Sequence, residues 1–163
     1  MKKIAVFPGS FDPFTVGHEN IVLQGLALFD HIVVAVGFNT EKKSYFSAQQ
    51  RVDFIKAQFA NEPRVSVEKY DNMTVDFVKK KKAQTILRGL RTAADFEYER
   101  AIAQINRKMS GIDSVFLLTK PEHTPVNSSI VRDILKHNGD ASLFVPSEIY
   151  KMILKLKSEN ENK

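Results

Sequence analysis

The sequence predicts a single α/β domain, a doubly wound parallel sheet of about five strands with helices on both faces. Three observations predict it. Short β-branched or apolar runs recur at residues 4–7, 31–37, 85–87 and 114–118, each too short for a helix. Longer stretches between them carry apolar residues at spacings of three and four. The two kinds alternate along the chain without an internal repeat or a linker. Right-handed crossovers then lay the strands parallel.

Ile4-Ala5-Val6-Phe7 reads as a buried first strand, and Pro8 to His18 as the loop that follows it. His18, Val22, Leu26 and Phe29 fall at spacings of four, four and three, one helix face turned to the sheet. His31 to Gly37 is a near-continuous β-branched run, as for a central strand covered on both faces. A polar loop, 39–44, leads to Ser47 and Gln50, a capping box that opens a second helix. Residues 64–68 alternate, as for a third, edge strand; Asp71 or Asn72 is placed to cap a short helix ending in Lys79-Lys80-Lys81-Lys82. Thr85-Ile86-Leu87 is a fourth strand and runs into Arg88-Gly89-Leu90-Arg91. A long helix over about 93–108 puts Tyr98, Ile102, Ile105 and Met109 on one face. After a fifth strand at 114–118, Pro121 and Pro125 make residues 119–127 irregular. Ser128-Ser129 starts a helix stopped by Asn138-Gly139, and Pro146 opens the last helix at its first position. The expected organisation is one Rossmann-like domain, residues 1–157, with a polar, frayed tail at 158–163.

Composition narrows the function. The 163 residues are 43% hydrophobic and 26% charged, ordinary for a globular domain with a sizeable core. There is no cysteine, hence no disulfide, thiolate metal site or thiol nucleophile. The apolar run after Lys2-Lys3 is too short for a secretory leader, and no run approaches a membrane span. The expectation is a cytoplasmic protein without a membrane partner. The net charge of +5 fits nucleic acid, a membrane surface or small polyanions, so local placement must decide.

In an open parallel sheet, ligands bind beyond the carboxyl ends of the strands. The first strand delivers Gly9-Ser10 and, at the start of its helix, His18; the second delivers Lys42; the fourth, Arg88 and Arg91; the fifth, Asn127-Ser128-Ser129. Cations, an imidazole, hydroxyls and helix N-termini therefore converge, and no carboxylate pair, Ser-His-Asp order or Walker motif competes. That is a polyphosphate site, suited to phosphoryl or nucleotidyl transfer. Bland readings stand beside each residue. His18 packs or caps; Lys42, next to Lys43, is solvated; Ser128-Ser129 only caps a helix; the Lys79 to Lys82 run is a solvated helix end. The cations sit at strand ends or scattered on helices, with no basic face interleaved with stacking aromatics, which argues against a nucleic-acid binder.

Gly9-Ser10-Phe11-Asp12-Pro13 followed by Thr15-Val16-Gly17-His18 resembles the signature of the (H/T)xGH nucleotidyltransferases. Ile86 to Arg91 followed by Ala94-Asp95-Phe96-Glu97-Tyr98-Glu99 is similar to the phosphopantetheine adenylyltransferases in particular, and the likeness runs along nearly the whole chain. The resemblance implies conversion of ATP and 4′-phosphopantetheine, with Mg²⁺, to dephospho-coenzyme A and pyrophosphate, in coenzyme A biosynthesis. It implies direct attack of the acceptor phosphate on the α-phosphorus. His18 would stabilise the transition state with Lys42 and Arg91, and Ser10 and Lys42 would hold the reacting phosphates. Arg88 and Thr74 would bind the acceptor; Phe11, Gly89, Leu90, Arg91 and Glu99 would contact ATP. His123, Thr124, Pro125, Val126, Asn127, Ser128 and Ser129 occupy the remaining ATP segment, where the family often carries a serine-rich stretch and a preceding aromatic. The resemblance also implies a homo-oligomer, a hexamer. No carboxylate cluster announces a metal site. The rival readings are a nucleotidyltransferase with another acceptor and a non-catalytic nucleotide-binding regulator.

Overall fold

The computed structural model describes residues 1–39, 41 and 43–161. Five parallel strands form one sheet in the order β3-β2-β1-β4-β5: β1 (Ile4–Gly9), β2 (His31–Gly37), β3 (Val65–Tyr70), β4 (Thr85–Leu90) and β5 (Asp113–Leu118). The chain winds outward from β1 to β3, then returns to build β4 and β5 on the other side of β1. The order reverses between β1 and β4, and a crevice opens there at the strand ends.

The connecting helices are α1 (Val16–Gly25), α2 (Ala48–Gln58), α3 (Thr74–Lys80), α4 (Ala93–Ser110), α5 (Ser128–Lys136) and α6 (Ser147–Glu161). Alternate strand residues feed two cores. Ala5, Phe7, Ile32, Val34 and Leu87 meet α1, α2, α5 and α6 on one face. Val6, Val33, Ala35 and Ile86 meet α3 on the other. Burial on both faces is why β1 and β2 read as unbroken apolar runs.

Several boundaries differ from expectation. β4 continues through Leu90, because it stays paired with β5 from Thr85 opposite Asp113 to Leu90 opposite Leu118. Arg88 and Gly89 are therefore strand residues. α3 is capped by neither Asp71 nor Asn72: it opens at Thr74, and its N-cap Met73 makes no side-chain bond. Asn127 rather than a serine caps α5, its side chain accepting the Ile130 N–H at 3.0 Å. Pro146 stands just before α6, its carbonyl taking the Tyr150 N–H at 2.9 Å. α6 runs to Glu161, so 158–161 are helical where a frayed tail is expected. Tyr98, Ile102, Ile105 and Met109 do share a face of α4, and that face is exposed in the single chain.

Candidate active site

Two clefts meet at the carboxyl ends of β1 and β4. The larger, about 890 Å³, runs over Ser10, Asn39, Tyr45, Thr74, Arg88 and Asn106. The smaller, about 290 Å³, is lined by Thr15, His18, Gly89, Arg91, Asn127 and Ser128, among others. Pro8, Gly9, Ser10, Arg88 and Glu99 border both. Gly9 is required by packing: a Cβ there would stand 2.7 Å from the Phe11 ring, which folds back over it with φ of 49°. Gly89 is required on the helix side, where a Cβ would stand 2.7 Å from Ile21 of α1. Its sequence reading, room for a ligand, is thus joined by a packing reason.

His18 occupies the third position of α1, where a capping box usually has Glu or Gln. The Thr15 side chain accepts the His18 backbone N–H, and the Thr15 N–H donates to His18 Nδ1 at 2.9 Å. An N–H donor at Nδ1 assigns the ring proton to Nε2. No described protein atom accepts from Nε2, and the ring borders the smaller cleft. Phe11 and Phe14 flank the imidazole with centroids at 5.0 and 5.3 Å. Burial, helped by the charges of Arg91 and Arg88, pushes its pKa from 6.5 to about 3. At neutral pH His18 is therefore an uncharged, oriented N–H donor. The capping reading and the functional reading are both true of this residue, since the cap fixes the tautomer.

The two guanidiniums are held by acids of α4. Arg88 Nε donates to Glu99 Oε2 at 2.8 Å, its second nitrogen pairs with Oε1, and the third donates to the Pro8 carbonyl. Glu99 is buried, and both its oxygens are engaged by Arg88. Arg91 Nε lies 3.1 Å from Asp95 Oδ2, whose carboxylate also takes the Arg91 backbone N–H at 3.0 Å. Burial raises the Asp95 pKa, but the Arg91 hydrogen bonds outweigh it and hold the carboxyl below its usual value. Both arginines are thus fixed before any ligand arrives.

Thr74 borders the larger cleft with its hydroxyl 3.0 Å from Tyr70. Phe11, Val126, Asn127 and Ser128 border the smaller one. The Ser128 hydroxyl donates to the Pro13 carbonyl at 2.8 Å, and Ser129 accepts from Arg132 at 3.1 Å. Leu90 is buried at the end of β4. His123 ends a turn of 3-10 helix that Thr124 and Pro125 follow, and it packs its Cβ near Gly17 instead of lining either cleft. Lys42 lies outside the described residues. Sequence reasoning passed over Asp95, Asp12 and Arg51. The spacing of Arg91 and Asp95, four apart, is a usable signal for the first. Arg51 carries none, since a cation on an amphipathic helix reads as solvated.

A family model described as cytidylyltransferase-like matches residues 6–134. A phosphopantetheine adenylyltransferase of Flavobacterium johnsoniae is 54% identical over 89% of this chain and 95% of its own length. One from Christiangramia forsetii is 49% identical over 93% of this chain and 99% of its own. The chain belongs to the phosphopantetheine adenylyltransferase family. It is a nucleotidyltransferase. Among solved structures, a bifunctional NMN adenylyltransferase/ADP ribose pyrophosphatase from Francisella tularensis shares the fold, with a TM-score of 0.74 at 19% identity. That likeness covers 97% of this chain and 50% of the longer one. The same Francisella protein complexed with AMP and a manganese ion gives a TM-score of 0.70 at 18% identity. Such identities carry the fold alone.

Proposed function

We propose that the chain transfers the adenylyl group of ATP to 4′-phosphopantetheine, releasing pyrophosphate and dephospho-coenzyme A, within coenzyme A biosynthesis. One observation carries the reading: a neutral His18 N–H, pinned by Thr15, lines the smaller cleft together with Arg88 and Arg91. An oxygen of the acceptor phosphate attacks the α-phosphorus as the bond to the β-phosphate oxygen breaks. The nucleophile is already an anion, so no base is needed. Charge grows on the α-phosphoryl oxygens, and His18, Arg91 and Lys42 are the donors assigned to it. Ser10 and Lys42 hold the reacting phosphates, while Arg88 and Thr74 take the acceptor in the larger cleft. The smaller cleft takes ATP along Phe11, Gly89 and 126–128, with Glu99 at its border.

Among the described residues no group of three His, Asp or Glu can cage a metal. The divalent ion, Mg²⁺, is assigned to the triphosphate as part of the substrate, in keeping with its preference for phosphate oxygens and water. The catalytic domain, expected over residues 1–157, continues through α6 to Glu161, and the enzyme is cytoplasmic. Among the described residues no helix is long and apolar enough to cross a membrane. A homo-oligomer, a hexamer, accords with the apolar face of α4, where Tyr98 is 70% and Ile105 58% exposed. Sedimentation checks that assembly. Pyrophosphate release with ATP, Mg²⁺ and 4′-phosphopantetheine, beside a nicotinate mononucleotide control, tests the reaction. Release only with the pantetheine substrate supports it; release only with the control moves the acceptor, and release with neither, in protein that binds ATP, overturns the enzyme.

A further inference from the structure

Two charged groups beside the larger cleft have no part in the chemistry above, and both are buried: Arg51 is 3% and Asp12 6% exposed. Arg51, in the first turns of α2, spends its guanidinium on backbone carbonyls. It donates to Phe46 at 3.2 Å, to Gly37 at 3.1 Å and to Ser10. Asp12 takes the complementary groups. Its two oxygens accept the backbone N–H of Tyr45 at 2.7 Å and of Phe46 at 2.8 Å. Burial lowers the Arg51 pKa while Asp12 raises it. Two buried charges are costly unless their hydrogen bonds are filled, as they are here by backbone groups.

The acceptors and donors share a pattern. Gly37 precedes the segment 38–44, and Tyr45 and Phe46 follow it; Ser10 and Asp12 belong to the loop after β1. That segment supplies Phe38, Asn39, Lys43 and Ser44 to the wall of the larger cleft. It also contains Lys42. We propose that Arg51 and Asp12 are positioning residues that pin both ends of segment 38–44 to the Ser10–Asp12 loop, and so set the acceptor wall of the cleft. The role rests on the adenylyl-transfer reading for its effect on turnover, though not for its effect on the segment. A planar fork suits three carbonyls in fixed directions, which a lysine ammonium reproduces only in part.

The test uses the full chain with Asp12→Asn, Arg51→Lys and Arg51→Ala. Without substrate, amide exchange in 38–46 should quicken about tenfold or more, while core amides of β1 and β2 keep their protection. With substrates, KM for 4′-phosphopantetheine should rise about ten- to a hundredfold, and KM for ATP should stay within about twofold. Added guanidinium ion should restore part of the acceptor KM in Arg51→Ala. Arg51→Lys should fall between the wild type and Arg51→Ala. If Arg51→Ala does not fold, Asp12→Asn carries the test, since an amide oxygen can accept only part of what the carboxylate does. Exchange that rises evenly across the sheet, or both KM values rising together, would overturn the role. Wild-type protein inactive on the acceptor sinks the adenylyl-transfer reading alone, and the exchange pattern still decides the clamp.

Discussion

His18 shows how one backbone contact selects a chemistry. With the Thr15 N–H on Nδ1, only Nε2–H can face the cleft. With the pKa near 3, that donor is present throughout the neutral range. Turnover followed from pH 6 to 8 should therefore show no inflection belonging to this residue; a step near 6.5 abolished by His18→Gln would contradict the neutral donor. His18→Ala should lower kcat about a hundredfold or more, worth about 3–4 kcal/mol of barrier, and leave ATP affinity nearly unchanged. Glu99 works through its neighbour. Glu99→Gln leaves Arg88 without its counter-charge, and should raise KM for the acceptor more than for ATP. Denaturant titration should find a loss of about 1–3 kcal/mol in stability.

Among the elements, β1, its loop and α1 behave as one unit. Phe11 covers Gly9, Thr15 caps α1, and Ile21 packs against Gly89 of β4. Space is short at that last contact, because α1 crosses the strand where no Cβ fits. Gly89→Ala should displace α1 or Ile21 at a cost of about 1–3 kcal/mol, seen in thermal unfolding. Turnover should fall with it, since α1 carries His18; a stable, fully active variant would refute the coupling. α5 is anchored by the Asn127 cap, and Asn127→Ala should cost about 1 kcal/mol of stability. β4 is longer than its local sequence suggests. Thr85-Ile86-Leu87 is apolar enough to read as strand, but pairing with β5 carries it three residues further, through polar Arg88 and small Gly89. No local pattern announces a register that the partner strand imposes.

For the whole molecule, acid is the informative perturbation. His18 is depressed to about 3 and His31 is lowered by burial and by Lys2. His31 Nε2 lies 2.9 Å from the Ser66 hydroxyl, while its buried Nδ1 has no partner among the described residues. Both rings therefore resist protonation in the folded state more than in the unfolded one, where they take a proton near pH 6.5. Stability is full above that pH and should decline as pH falls below it, each depressed site costing up to about 1.4 kcal/mol per unit. For His18 the decline ends near pH 3, its folded value. Urea unfolding at pH 7.5 and 5.0 measures it, and the slope should shrink in His31→Gln.

The alternation of elements, the two-sided burial of β1 and β2 and the convergence of Ser10, His18, Arg88 and Arg91 follow from residue type and period alone. They rest on local preferences and on one topological rule, and both are written in consecutive residues. The partners of those groups are not. Glu99 on Arg88, Asp95 on Arg91, Asp12 and Arg51 on the loop ends, and the N–H of Thr15 on the imidazole all depend on distances that exist once the sheet has closed. Arg51 is the clearest instance: on its helix it looks solvated, and only packing against β1 and β2 turns it inward, because the carbonyls of Ser10 and Gly37 at the strand ends, and of Phe46 before α2, need a donor.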